Sequence, residues 1–194
     1  MSRFNAFFQR LQAHVASGSL IEIDRNPLTA ENLMGFPVVL SSLFLVLSVV
    51  DDCYFLNGFS VIRLDDVRRY RVLTDREDLI RYALSKRYPG GYLKKPRLTS
   101  EEMQDFSFLS TVHGRFPLVT IFREAMDNTV CQIGCIETMK PKTFLLREID
   151  IDGSWCGMRR FRYDDVTRID VGGTYEEALW MYAEYLQSLD TQGQ

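Results

Sequence analysis

The chain has 194 residues, 46% of them hydrophobic and 25% charged, with a formal net charge of −3. That composition supplies a packed core and excludes a disordered or low-complexity chain; the length suits one medium domain or two small ones. The charge is unevenly spread, with 14 Lys/Arg against 10 Asp/Glu in residues 1–98 and 9 against 16 in residues 99–194. A basic half therefore precedes an acidic one, and either the two halves face each other or one of them meets an anionic partner.

The chain opens on a predicted helix, Asn5 to His14, carrying Phe7, Phe8 and Leu11. The start Met1-Ser2-Arg3-Phe4-Asn5 has no signal-peptide pattern, which places the protein in the cytoplasm. Leu20-Ile21-Glu22-Ile23 alternates as a half-buried strand does. The run Val38 to Val50 is strongly apolar but only 13 residues long, well short of the roughly 20 that a membrane-spanning helix needs. It reads as one long bent strand, or as two strands joined by a tight bend. Phe59 to Arg63 and Arg69 to Val72 follow as strands. A helix from about Asp75 to Tyr88, capped by Thr74 or Asp75, puts Leu79, Ile80, Ala83 and Leu84 on one side. Pro89-Gly90-Gly91 stops it.

The second half takes the same course. Ser100 to Leu109 reads as a helix capped by Ser100. Leu118 to Phe122, a strand around Gly134, and Phe144 to Ile149 follow. Asp150-Ile151-Asp152-Gly153 is hairpin chemistry. Met158 to Arg162 and Arg168 to Val171 are further strands. A closing helix is capped by Thr174, with Ala178, Leu179, Tyr182 and Leu186 as its apolar stripe.

The correspondence has a fixed offset. Sliding the chain by 99 residues lays Gly35 on Gly134, Leu47 on Leu146, Gly58 on Gly157 and Asp65-Asp66-Val67 on Asp164-Asp165-Val166. Glycines, turn acids and core aliphatics recur together, as an internal repeat requires. The domain boundaries that follow are 1–90 for the first helix, barrel and closing helix, 91–99 for a linker, and 100–194 for the second copy.

Five short strands, a glycine at the second-strand bend and a flanking helix resemble the SH3-like barrel in its Sm-like form. The segments Phe144 to Asp150, Gly153-Ser154-Trp155 and Phe161 to Ile169 are similar to uncharacterised bacterial proteins with WYL-like barrels. The resemblance covers residues 119–186 and, through the repeat, 20–87. It implies a mainly β protein with flanking helices (α+β), made of two tandem five-stranded Sm-like barrels, each followed by a helix. For Sm proteins it further implies RNA binding in rings. The acidic and Asn positions of the Sm base pocket hold Ser41 and Leu45 in one copy and Lys140 and Phe144 in the other. Val67-Arg68-Arg69 and Val166-Thr167-Arg168 lack the glycine of the second Sm motif.

The best candidate site is the basic stretch Arg68, Arg69, Arg71, Arg81, Lys86, Arg87, Lys94, Lys95 and Arg97, interleaved with Tyr88 and Tyr92. Arginine and lysine neutralise phosphates, and tyrosine rings stack on bases. Arg159, Arg160, Arg162 and Arg168 form a second cationic group, with Glu148 and Asp150 as neighbouring acids. The four cysteines make no C-x-x-C pair, so no metal site or cofactor is expected, and Cys131 and Cys135 read as buried thiols. No nucleophile, P-loop or dinucleotide motif is present. The sequence therefore points to a non-catalytic binding or assembly module that meets another protein or its own copy through strand edges and helix faces. The alternative is RNA or a phosphorylated ligand on residues 68–97; no membrane partner is expected.

Overall fold

The computed structural model describes residues 3–93 and 95–192. The chain divides into two compact units, Met1–Asp105 and Phe106–Gln194. In the first, α1 (Arg3–Ser17) leads into β1 (Ile21–Asp24), β2 (Leu33–Leu40), β3 (Phe44–Val50) and β4 (Leu56–Arg63). A 3-10 turn at Leu64–Asp66, then β5 (Arg69–Val72) and α2 (Glu77–Arg87) complete it, with a last 3-10 turn at Glu102–Gln104. The second holds α3 (Phe108–His113), β6 (Val119–Phe122), β7 (Cys131–Met139), β8 (Thr143–Ile149) and β9 (Trp155–Arg162). A 3-10 turn at Tyr163–Asp165, β10 (Arg168–Val171) and α4 (Thr174–Gln192) close the chain. β8, β9 and β10 begin 99 residues after β3, β4 and β5.

The protein is mainly β, but the expected pair of closed five-stranded barrels is not what forms. The strands are antiparallel and run β5-β1-β2-β3-β4 in the first unit and β10-β6-β7-β8-β9 in the second. Closing a barrel requires the end strands to pair, and within neither unit do they. After β4 the chain crosses to the far side of β1, where the Arg68 N–H donates to the Asp24 carbonyl at 2.9 Å. β5 then pairs with β1, Asp24 opposite Arg69, leaving β4 and β5 at opposite ends of an open sheet.

The apolar run Val38 to Val50 splits into β2 and β3 at Ser41. Its hydroxyl accepts the Phe44 N–H at 2.9 Å and donates to the Met103 carbonyl at 2.6 Å. A hydroxyl whose bonds are all met can be buried in an apolar run. Both second strands carry a bulge, between Pro37 and Val39 and between Ile136 and Thr138. Gly35 and Gly134 answer to a different constraint. A Cβ at Gly35 would strike the Ser48 carbonyl, and one at Gly134 the Arg147 carbonyl.

Two clusters fill the first unit. Leu11, Ile21, Ile23, Leu45, Leu47 and Ile62 meet under α1, and Leu20, Phe36, Val50, Leu73, Ile80 and Leu84 under α2. In the second unit Leu118, Cys135, Ile149, Leu179 and Ala183 pack between sheet and α4. Three helices differ from expectation. Arg76, not Thr74 or Asp75, stands before α2, and Leu79 is exposed. The helix expected from Ser100 to Leu109 does not form: a 3-10 turn at Glu102–Gln104, capped by the reciprocal pair of Glu102 with Thr99 rather than Ser100, takes its place, and α3 begins only at Phe108. α4 includes Thr174 as its first residue. Among the described residues no helix is long and apolar enough to cross a membrane.

Candidate functional site

The basic stretch does not assemble into one surface, because carboxylates and carbonyls of the first unit take up much of it. Arg69 donates to Asp24 at 2.5 Å and Arg71 to Glu22 at 3.0 Å, both across the β1–β5 pair. Arg81 binds Glu77, the Tyr92 hydroxyl at 3.0 Å and the Gly18 carbonyl at 2.5 Å. It therefore fastens α2 to the segment after it and to the turn before β1. Arg87 donates to the Cys53 and Tyr54 carbonyls and lies 3.8 Å from the Phe55 ring centre. The Tyr88 hydroxyl accepts the Leu56 N–H at 3.1 Å. Lys86 stands 5.3 Å from the Tyr82 ring. Lys95 and Arg97 are exposed; Lys94 lies outside the described residues.

Arg68 and Arg69 converge on a different set of neighbours. They line a polar cleft with Asp24 and Asn26, of about 820 Å³. They also line a second cleft of about 490 Å³ with Phe7, Arg10 and His14 of α1 and Tyr70 of β5. The Asn26 N–H and then the Arg69 guanidinium hold the Asp24 carboxyl below its ordinary range, so the Asp24–Arg69 pair persists at neutral pH. Arg10 and His14, both on α1, lay outside the basic stretch, and only the fold brings them to it.

The second unit has a cleft of about 710 Å³ with an apolar floor. Ile133 and Ile149 come from β7 and β8, Leu179 from α4, and Val130, Ile151 and Tyr175 form the rim. The turn Asp150 to Gly153 shapes one side. The Asp150 N–H donates to the Ser154 carbonyl at 2.9 Å and the Gly153 N–H to the Asp150 carbonyl at 3.0 Å. Gly153 has φ +77°, and a Cβ there would meet the Tyr182 ring at 2.9 Å; a side chain would push α4 away. Contrary to expectation, Cys131 is exposed on this cleft while Cys135 is buried. Desolvation pushes both thiols up, so thiolate is scarce near neutral pH.

α4 presents two apolar faces. Leu179 and Ala183 are buried against the sheet. Tyr175, Tyr182, Tyr185 and Leu189, with Ala178 between them, follow a three-four spacing and stay exposed. Met181 adjoins them and is 63% exposed. Residues three and four apart are neighbours on a helix, so Glu177 and Glu184 flank Met181 along the outer side of this stripe. α4 carries Glu176, Glu177, Glu184 and Asp190 and no Lys or Arg. The spacing of Tyr175, Tyr182, Tyr185 and Leu189 was the sequence signal for this second face.

The second cationic group is divided. Arg159 pairs with Glu148 at 2.8 Å. Arg168 is buried, 3.8 Å from Glu124 and 3.2 Å from Asp170, with its guanidinium 3.6 Å from the Phe122 ring centre. It belongs to the core and is closed to any ligand. The paired acids Asp65-Asp66 and Asp164-Asp165 lie in the 3-10 turns.

Fold and site thus define a β-rich protein of two open antiparallel units, with a cationic cleft in the first and an apolar, acid-rimmed surface in the second. No protein-family model matches this chain, and neither does any curated protein or solved structure.

Proposed function

We propose that the protein is a binding module, the tandem product of one ancestral unit, whose α4 face and adjoining cleft receive a basic amphipathic helix of a partner protein. The exposed stripe Tyr175, Tyr182, Tyr185 and Leu189, continuous through Tyr175 with the apolar cleft, carries this reading. Contiguous exposed apolar surface marks interaction sites in water-soluble folds. Apolar residues at three-four spacing suit a helix laid alongside another helix. Charge selects the kind of helix. A second copy of α4 would set Glu177 and Glu184 against like charges, whereas a partner flanked by Lys and Arg is attracted. Tyrosines supply rigid contact area at low entropic cost and are enriched at the centres of interfaces.

The expected result concerns the full chain titrated with a synthetic amphipathic peptide, Leu on one stripe and Lys and Arg elsewhere. Tyr175→Glu with Tyr185→Glu weakens binding by roughly tenfold or more and leaves the melting temperature within a few degrees, since both side chains are more than half exposed. Undiminished binding by the double variant contradicts the reading. So does equal binding of a peptide whose cations are replaced by Glu.

A second reading rests on Arg10, Arg68 and Arg69 around the cleft beside Phe7 and Tyr70. Three guanidinium groups beside one carboxylate leave a net positive cleft that suits a phosphorylated ligand. Binding of a labelled mixed-sequence RNA, or of inorganic phosphate, that falls steeply with salt and is lost on Arg68→Ala with Arg69→Ala supports it. Absence of binding at low salt removes it.

A further inference from the structure

β9 is the outermost strand of the second unit and pairs with β8 alone among the described strands. It is eight residues long, and Cys156, Gly157, Met158, Arg159 and Arg160 are all exposed in succession. β4, which precedes it by 99 residues, differs in kind. Ser60, Val61 and Ile62 are buried where Arg159, Arg160 and Phe161 stand in β9, and of these three only Phe161 is buried. A strand edge presents a row of N–H and C=O groups ready to pair with a further strand.

Charge is gathered at the same edge. Residues 99–194 hold nine Lys/Arg in all. Five of them, Lys140, Lys142, Arg159, Arg160 and Arg162, lie on β9 or on the β7–β8 turn, whose Thr143 stands opposite Arg162. All five are exposed. Arg159 spends its charge on Glu148, and Arg162 reaches only the exposed Asp164, at 3.4 Å. A unit whose sequence is acidic thus carries five of its six exposed cations along one edge, on β9 and the adjoining β7–β8 turn; the sixth, Arg115, follows α3.

We propose that β9 is a docking strand for an extended acidic segment of another protein, added to the sheet edge by main-chain pairing. Alternation puts Arg160 and Arg162 on one face with Met158. The segment therefore has Asp or Glu at alternate positions facing the two arginines and an apolar residue toward Met158. A second copy of β9 is the wrong partner, because antiparallel self-pairing sets arginine against arginine, and like charges across a strand pair repel. β9 shares Cys156 and Arg159 with the cleft beside α4, but Arg160 and Arg162 lie outside that lining, so the Arg160→Glu, Arg162→Glu variant tests this strand apart from the α4 face.

The test uses the full chain, uniformly labelled with 15N, and a synthetic peptide alternating Glu with Val and Thr. The expected result is saturable shifts and slowed amide exchange at residues 156–162. Arg160→Glu with Arg162→Glu weakens binding by roughly tenfold or more. A peptide with Pro at its centre fails to bind, because it cannot donate to the ladder. Three outcomes overturn the proposal: no saturable shift at 156–162, equal binding of the Pro peptide, which reveals a purely electrostatic contact, or displacement of the peptide by a short RNA that itself binds more tightly at these residues.

Discussion

Arg168→Ala will destabilise the second unit by about 3–5 kcal/mol, because it removes a buried cation from beside the buried carboxylate of Glu124. The side chains of Arg168 and Glu124 are only 4% and 3% exposed. Glu124 also accepts the Thr167 hydroxyl, which fixes its position without neutralising it. The loss is a large share of the roughly 5–15 kcal/mol that holds a domain folded. Urea denaturation of both proteins measures it. A companion variant separates lost charge from lost packing. Arg168→Met with Glu124→Leu keeps the volume and removes both charges, and it should recover most of the loss. A loss below about 1 kcal/mol for Arg168→Ala would place the pair in solvent, against its burial.

Gly134→Ala is the second large effect. The added Cβ would collide with the backbone carbonyl of Arg147 and lie 3.0 Å from the Glu148 Cα. Both belong to the paired strand β8, so no flexible side chain can yield. β7 and β8 must separate, at a cost of about 3 kcal/mol or more. Gly35→Ala should do the same in the first unit, where the Ser48 carbonyl stands in the way. Gly90→Ala is the control, with nothing within 4 Å of its Cβ. Thermal unfolding of the three variants checks this ordering. Equal melting temperatures would show that the strands tolerate a methyl group between them.

The strands were legible because alternation and glycines report one chain segment at a time. Arg69 to Val72 and Arg168 to Val171 fall where the sequence put them. The apolar run left one bent strand and two strands open; two form, and at the break the Ser41 hydroxyl accepts the Leu43 and Phe44 N–H groups. The open sheet was not legible. Whether β5 returns to β4 or stops beside β1 depends on pairing between strands distant in sequence, which alternation does not encode. The basic stretch misled for a related reason. Its arginines are neighbours in sequence, but Asp24 and Glu22 lie 45 and 49 residues away, and only the β1–β5 register brings them opposite. The α4 face was half legible. Leu179 and Leu186 define the packed side, and the three-four series from Tyr175 to Leu189 defines a second that stays exposed.

Two apolar faces on one helix are costly in water unless a partner takes the outer one. The most direct test of that claim is a 15N chemical-shift map of the full chain as the Leu/Lys/Arg amphipathic peptide is added. The account predicts saturable shifts confined to Val130–Ile133, Ile149–Gly153 and Tyr175–Leu189. Saturable shifts elsewhere with these three segments unmoved would contradict it.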